Sequence, residues 1–448
     1  MHQPTETIAA IATAPGRGGV GIIRLSGPDV PDIAQRILGT LPRPRYAHYG
    51  KFHDAHGTVL DDGIALYFAA PHSYTGEAIL ELQGHGGPVV LDSVLQAVYQ
   101  YGARPARPGE FTERAFLNDR MDLAQAEAVA DLIDAHSQAA ARAATQALSG
   151  QFSQRVNQLN QHLIELRMYI EAALDFPEEE IDFLADEHLY SRLHGLQAEM
   201  DELLARTSQG ILLREGMQVV IVGRPNAGKS SLLNQLADEQ RAIVTDIPGT
   251  TRDVLKAEIQ IDGLPVHIID TAGLRDSDDP VEAEGIRRAW AEIEQADAII
   301  HLLDDQAPAD QSTDDILAKL PEKPTITLHN KIDLTGRPAG WINREGKQLA
   351  ISAKQNQGLL ELRETLKELV GFRQTDNSQF IARRRHLDAL ERAGREIDQA
   401  VDVLINIGAG ELAAESLRDA QNALESLTGR FTADDLLGEI FSSFCIGK

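Results

Sequence analysis

The octad GRPNAGKS at 223–230 has the residue types needed to hold a polyphosphate. Its glycines let successive backbone N–H groups wrap anionic oxygens, Lys229 brings a point charge to the β- and γ-phosphates, and the Ser230 hydroxyl is an oxygen ligand for Mg2+. It follows the apolar run MQVVIV and precedes SSLLNQLAD, the strand, loop and helix that this chemistry requires. A second apolar run ends in IID (268–270), so Asp270 is suited to the outer shell of the same Mg2+. Thr271, Ala272 and Gly273 follow it, and the Gly273 N–H is expected to meet a γ-phosphate. NKID (330–333) closes a third run. There the Asp333 carboxylate can accept from guanine N1–H and the exocyclic amine, whereas adenine would face it with a lone pair and leave a bond unmade. Ser352, Ala353 and Lys354, after a last apolar run, complete a base pocket with Asn330 and Lys331. In this order the motifs imply a guanine nucleoside triphosphate.

The ordered set resembles the translation-factor-like class of small GTPase domains, with GTTRD (249–253) similar to its switch I. Thr251 is then the Mg2+ ligand that senses the γ-phosphate. The contacts expected around the nucleotide are Asn226, Ala227, Gly228, Lys229, Ser230 and Ser231 in the phosphate loop. Thr245, Asp246, Ile247, Pro248, Gly249, Thr250 and Thr251 follow in the switch. Leu274 stands where Ras-like enzymes carry a water-orienting glutamine, and a leucine cannot hydrogen-bond water. The acidic segment DSDDPVEAEGI (276–286) offers Glu282 as the substitute. Arg252 and Arg275 are available by position as an arginine finger, and the Asn226 side-chain oxygen could instead hold a monovalent cation against the phosphates.

Such loops need a frame. The apolar runs 217–222, 266–270, 298–303, 325–329 and 349–352 alternate with helical segments, so they read as buried parallel strands that gather ligands at their carboxyl ends. Upstream, to about Leu117, GGVGIIRLSG, GIALYFAA and AILELQG are short β-rich runs of an α+β module. Two blocks, about 122–207 and 382–441, are Ala-, Leu-, Gln- and Glu-rich with few breakers and read as helical. The expected fold is multidomain α+β: an N-terminal α+β domain at 1–118, a helical domain in two segments at 119–214 and 377–448, and an inserted Ras-like α/β P-loop GTPase domain at 215–376.

The chain of 448 residues is 43% hydrophobic and 25% charged, enough for several cores. Its formal charge of −26 opposes wrapping a nucleic-acid backbone unaided. That charge fits mere solubility as well as dependence on a basic partner. The start, MHQPTETIAA, lacks the n- and h-regions of a signal peptide, no run spans a bilayer, and one cysteine allows no internal disulfide. A cytoplasmic protein with no membrane association is expected.

Asn226, the TDIPGTTRD loop (245–253) and Leu274 together resemble the MnmE, or TrmE, family of tRNA modification GTPases. So do PGRGGVG (15–21), ELQGHGG (81–87), PGEFTERAFLN (108–118) and FCIGK (444–448), which extend the likeness over nearly the whole chain. The resemblance implies a K+-stimulated GTPase in which Asn226, Thr245, Ile247 and Thr250 surround K+, Ser230 and Thr251 hold Mg2+, and Glu282 is catalytic. It implies an N-terminal domain that forms a homodimer and binds 5-formyltetrahydrofolate or a related reduced folate, with Arg24, Glu81, Arg120 and Lys448 at the matching positions. Arg120 departs from the lysine common in the family; charge is kept but geometry is not. An MnmG-like FAD protein and tRNA are the implied partners, and C5 modification of the wobble uridine is the implied reaction. A regulatory GTPase switch of the ribosome-assembly type shares every nucleotide motif.

Three lesser signals remain. Cys445 ends a poor prenylation box, and a reactive thiol and a structural one are both open. His85, between glycines, is either a ligand contact or a loop histidine held by backbone groups. The remaining histidines show no metal-ligand spacing. The acidic run 177–187 reads as a functional loop or, more simply, a solvated face.

Overall fold

A computed structural model describes residues 6–135, 137–175, 187–224, 226–238, 256–270, 294–307, 322–373, 380–429, 434–442, 444 and 447. The chain divides into two compact units, one of 1–130, 148–196 and 392–448, the other of 131–147 and 197–391.

The first unit is built on six strands: β1 (Ile8–Ile11), β2 (Gly18–Ser26), β3 (His48–His53), β4 (Val59–Phe68), β5 (Ile79–Gly86) and β6 (Arg104–Pro105), in the order β3-β4-β5-β2-β1-β6. All neighbours are antiparallel except β1 and β6. Inward residues alternate along β2, β4 and β5, so Ile23, Leu25, Ala65, Tyr67, Leu80 and Leu82 form one apolar face. Helices α1 (Val30–Leu38) and α2 (Pro88–Gln100) cover that face with Ile33, Ile37, Val94 and Val98. Each large side chain buried there contributes about 1.5–3 kcal/mol. Helix α3 (Glu110–Leu117) and α4 (Leu123–Ile133) follow; α5 (Gln138–Leu148) belongs to the second unit, and the long α6 (Gln151–Asp175) to the first. Helix Gly410–Thr428 packs along α6: Gly410 sits against Leu174, and Arg167 donates to the Gln421 side chain at 2.5 Å. The last described helix, Asp434–Ser442, brings Phe441 to within 2.6 Å of where a Cβ on Gly109 would stand.

This unit also buries charge. Arg114 is 2% exposed and donates to Glu77 (2.9 Å), Glu110 (3.1 Å) and the Glu6 carbonyl (3.1 Å). Arg104 reaches Glu110 at 2.6 Å, and the Arg107 N–H donates to it at 2.8 Å. A buried carboxylate persists only when compensated in this way.

The second unit holds seven strands in the order β12-β13-β11-β10-β7-β9-β8. They are β7 (Met217–Gly223), β8 (Lys256–Ile261), β9 (Leu264–Asp270), β10 (Ala298–Asp304), β11 (Thr325–Asn330), β12 (Gly340–Asn343) and β13 (Gln348–Ala350). The middle five run parallel, and the edges β8 and β12 are antiparallel. Val219, Val220, Ile221 and Val222 of β7 are fully buried, as a strand covered on both faces requires. The phosphate-loop helix α8 (Lys229–Asp238) leaves its end, and helices Ile332–Thr335 and Leu359–Leu369 follow β11 and β13. Helix α7 (Glu187–Glu215) leads into β7, and helix Arg384–Asp402 begins beyond the sheet. Entry and exit meet: Asp131 accepts from Arg214 and Arg383, each at 2.9 Å, and a Cβ on Gly210 would stand 2.2 Å from the Phe380 carbonyl.

Burial pushes the Glu110 carboxyl up, but the hydrogen bonds from Arg104, the Arg107 N–H and Arg114 outweigh it and hold the group at about 2, against an ordinary 4.5. A lowered carboxyl stabilises the fold above its unfolded value, and that contribution is lost as pH falls from about 4.5 toward 2. Glu110→Gln is therefore expected to destabilise this unit by about 3 kcal/mol at neutral pH and to flatten the acid limb of its stability. Thermal melts by circular dichroism across pH check this, and an unchanged midpoint at pH 7 would refute it.

Candidate functional site

Parallel order places the carboxyl ends of β7, β9, β10, β11 and β13 along one edge of the second unit's sheet, and the chemistry-bearing loops leave from there. Gly223 ends β7 in register with Leu302, where a Cβ would stand 2.6 Å from the Leu302 carbonyl. Asn226 then takes the left-handed conformation (φ 67°), and Gly228 has φ 99°. The Leu232 N–H bonds to the Gly228 carbonyl at 2.9 Å, so α8 starts at Lys229 with its first N–H groups facing the loop. Lys229 Nζ donates to the Gly223 carbonyl at 3.3 Å, which holds the ammonium across the loop. Ser230 and Ser231 lie exposed in the first turn.

Asn330 binds the loops together. Its residue is 2% exposed, its Nδ2 donates to the Ala227 carbonyl at 2.9 Å, and its Oδ1 accepts from the Ala353 N–H at 3.0 Å. The Asp333 carboxylate accepts from Ser352 Oγ at 2.7 Å. The turn 352–357 closes by a backbone pair between Ser352 and Gln357, leaving Lys354 exposed. Lys331 is left-handed (φ 68°, ψ 31°), and its Nζ donates to Asp304 at 2.6 Å. The structure thus brings Asn226, Ala227, Gly228, Lys229, Asn330, Lys331, Asp333, Ser352 and Ala353 to one edge. Asp270 ends β9 on the same edge. Thr245, Asp246, Ile247, Pro248, Gly249, Thr250, Thr251, Thr271, Ala272, Gly273, Leu274 and Glu282 lie outside the described residues.

These donors fit a nucleotide and its cation. The loop of small residues leaves room at Gly228, where a Cβ would meet the Asn330 amide at 2.3 Å, and the Ser230 hydroxyl is a hard oxygen donor suited to Mg2+. Of the four residues expected around K+, Asn226 is the one among the described residues.

In the first unit Arg24 and Glu81 face each other on β2 and β5 and pair at 2.9 Å. The Arg24 guanidinium lies over the rings of Tyr74 (5.7 Å) and Phe111 (5.9 Å), and its Nη1 donates to the Gly447 carbonyl at 3.5 Å. Two rings beside a charged pair suit a flat heterocycle carrying hydrogen-bond donors and acceptors. Arg120 is exposed, its stem about 3.4 Å from where a Cβ on Gly76 would stand. Cys445 and Lys448 lie outside the described residues. The His85 side chain is held by a carboxylate: Nδ1 lies 2.7 Å from Asp61, whose other oxygen accepts the His85 backbone N–H, and the bond to Asp61 raises the imidazole above its ordinary value.

The sequence missed Tyr74, Phe111 and Asp304. Asp304 had a readable signal, a carboxylate at the end of an apolar strand like Asp270. Phe111 lay inside a quoted motif, whereas nothing local marked Tyr74.

Two family models cover the chain, "GTP-binding protein TrmE N-terminus" at residues 7–120 and "MnmE helical domain" at 123–445. It is 59% identical to the tRNA modification GTPase MnmE of Chromohalobacter salexigens over 449 aligned residues, covering 99% of this chain and 98% of that one. It is 56% identical to the protein of the same name from Hydrogenovibrio crunogenus, covering 99% of each. A solved structure of Era from Aquifex aeolicus bound to GDP·AlF4− matches 40% of this chain and 66% of that one, at 24% identity and a TM-score of 0.27. Among the described residues no helix is long and apolar enough to cross a membrane.

Gly228→Ala is expected to displace the Asn330 amide and strain a left-handed backbone position, weakening nucleotide binding by more than about 100-fold while the first unit stays folded. Titration with a fluorescent GDP analogue measures it, and retained affinity would count against the clamp.

Proposed function

Because the chain belongs to the MnmE family of tRNA modification GTPases, we propose that it hydrolyses GTP with Mg2+ and couples that hydrolysis to tRNA modification. The observation that carries this reading is the Asn330 amide, which joins the phosphate loop at Ala227 to the base loop at Ala353. Guanine is the fitting base because the Asp333 carboxylate accepts two hydrogen bonds from its edge. Bound Mg2+ supplies charge neutralisation at the β- and γ-phosphates, and Ser230 and Thr251 would hold it. Lys229 brings a second positive charge to the same oxygens. Leucine at 274 leaves the attacking water without a glutamine, and Glu282 takes over its orientation.

In the finer reading, Asn226, Thr245, Ile247 and Thr250 hold K+, which drives association of two GTPase domains and a conformational change. The reaction served is C5 modification of the wobble uridine, of aminomethyl or carboxymethylaminomethyl type, with an MnmG-like FAD protein. Arg24, Glu81, Arg120 and Lys448 would bind a reduced folate such as 5-formyltetrahydrofolate, in an N-terminal domain that makes the constitutive homodimer of a cytoplasmic enzyme. The working division is 1–118 for folate and dimerisation, 119–214 and 377–448 for the helical domain, and 215–376 for the GTPase. A ribosome-assembly switch would have no use for the folate residues.

Mass analysis of wobble nucleosides from cells lacking the chain tests the reaction, with loss of the C5-modified uridines expected; a full complement would reject it. Asp333→Asn should relax discrimination between guanine and xanthine nucleotides, because an amide can donate where the carboxylate only accepts. Unchanged selectivity removes the base assignment. Glu282→Ala should abolish turnover at nearly unchanged GTP affinity, and equal turnover in K+ and Na+ would exclude the cation reading.

A further inference from the structure

We propose that Asp304 is a positioning residue for nucleotide binding, one that holds the Lys331 side chain in place at the guanine pocket. The proposal rests on the GTP reading above and deepens it.

Strands β10 and β11 run parallel with Asp304 in register with Asn330, so this carboxylate lies beside the residue that clamps the phosphate loop. Lys331, the next residue, adopts a left-handed backbone that costs a non-glycine residue about 1 kcal/mol. From there its Nζ reaches Asp304 Oδ2 at 2.6 Å. The other oxygen of Asp304 accepts the Gln306 N–H at 3.1 Å, so the carboxylate is oriented by its own strand end before the lysine arrives. The hydrogen bond from Lys331 holds the Asp304 carboxyl below its ordinary value, which keeps it charged at neutral pH. Both side chains are partly shielded, 29% and 20% exposed, so the pair is neither buried nor fully screened.

The neighbours leave Lys331 this one role. Asn330 commits its amide to Ala227 and Ala353, and Asp333 is bonded through one oxygen to Ser352. Lys331 lies between them in sequence, at the start of the helix that carries Asp333. The Lys331 ammonium is taken up by Asp304, while Asp333 is bonded to Ser352. Of the two lysines in these motifs, Lys229 then serves the phosphates and Lys331 the base.

The test uses the full chain. Asp304→Ala and Asp304→Asn should raise the Kd of both GTP and GDP, and the KM of hydrolysis, by about five-fold, the scale of one partly exposed ion pair, with kcat within about two-fold of the parent. The equal effect on GTP and GDP is expected because the residue acts at the base end. Asp304→Glu should restore most of the affinity, and Asp304→Ala should add nothing in a Lys331→Met background, a non-additivity that general loosening of the fold would not produce. Unchanged Kd in Asp304→Ala, or a fall in kcat at constant KM, overturns the proposal. If Asp304→Ala is silent while Asp333→Asn alters base selectivity, the positioning role alone fails; a parent chain indifferent to GTP fails the underlying reading instead.

Discussion

The nucleotide edge depends on one buried amide. Asn330 offers a donor to Ala227 and an acceptor to Ala353, and its two partners lie 103 and 23 residues away in sequence. A carboxamide alone among side chains of this size carries both functions on one rigid plane. An aspartate would set oxygen against the Ala227 carbonyl, and an apolar residue would leave two buried backbone groups unpaired. The clamp also explains why position 228 is a glycine, since the amide occupies the volume of its missing Cβ. Strand order makes the clamp possible, because β10 alone separates β7 from β11 and so brings the phosphate loop within reach of NKID.

The parallel centre of this sheet was legible because strands covered on both faces read as largely apolar runs, and most of the runs led into a motif with chemistry. The edges were not. Strands β8 and β12 are antiparallel margins: KAEIQI carries a strict polar–apolar alternation, a signal distinct from an apolar run, and the four residues GWIN are too short to show a period. In the first unit the runs around β2, β4 and β5 were readable, whereas β1, β3 and the two-residue β6 are defined by partners rather than pattern. Motif residues could be named from the sequence because binding phosphate or guanine demands particular atoms. Their supports depend on the fold: Asp304 is marked in sequence as a strand-end carboxylate but not as the partner of Lys331, and Tyr74 and Phe111 beside Arg24 are recognised only once distant segments meet.

The same limit applies to the ends of the nucleotide-binding segment. Gly210, Arg214 and Arg383 are unremarkable in sequence, yet Gly210 permits backbone contact with Phe380, and the two arginines converge on Asp131, whose side chain is 5% exposed. One carboxylate with two guanidiniums is over-compensated in charge, so its attraction does not depend on either arginine alone. The joint thereby holds the chain entering β7 beside the chain leaving the last sheet helix. A sheet whose loops are spaced for a ligand needs such an anchor, because movement at its root would carry the loops apart.

These ion pairs also bear on how so acidic a chain meets an anionic one. Arg24, Arg104, Arg107, Arg114, Arg214, Arg383 and Arg384 all lie within 3 Å of carboxylates of their own unit. Their charge is spent on holding segments together, as in the cluster of Arg104 and Arg114 around Glu110. With 68 acidic against 42 basic residues, the far field of the chain is negative. Phosphates approaching from solution would be repelled until some local or partner-supplied positive surface intervened. In the proposed reading, tRNA would be met through a basic partner or a local basic patch within that repelling surround. In the proposed binding mode GTP would escape the constraint, because the Lys229 ammonium, held across the phosphate loop, and the amides at the start of α8 would act at contact distance, where local geometry outweighs net charge.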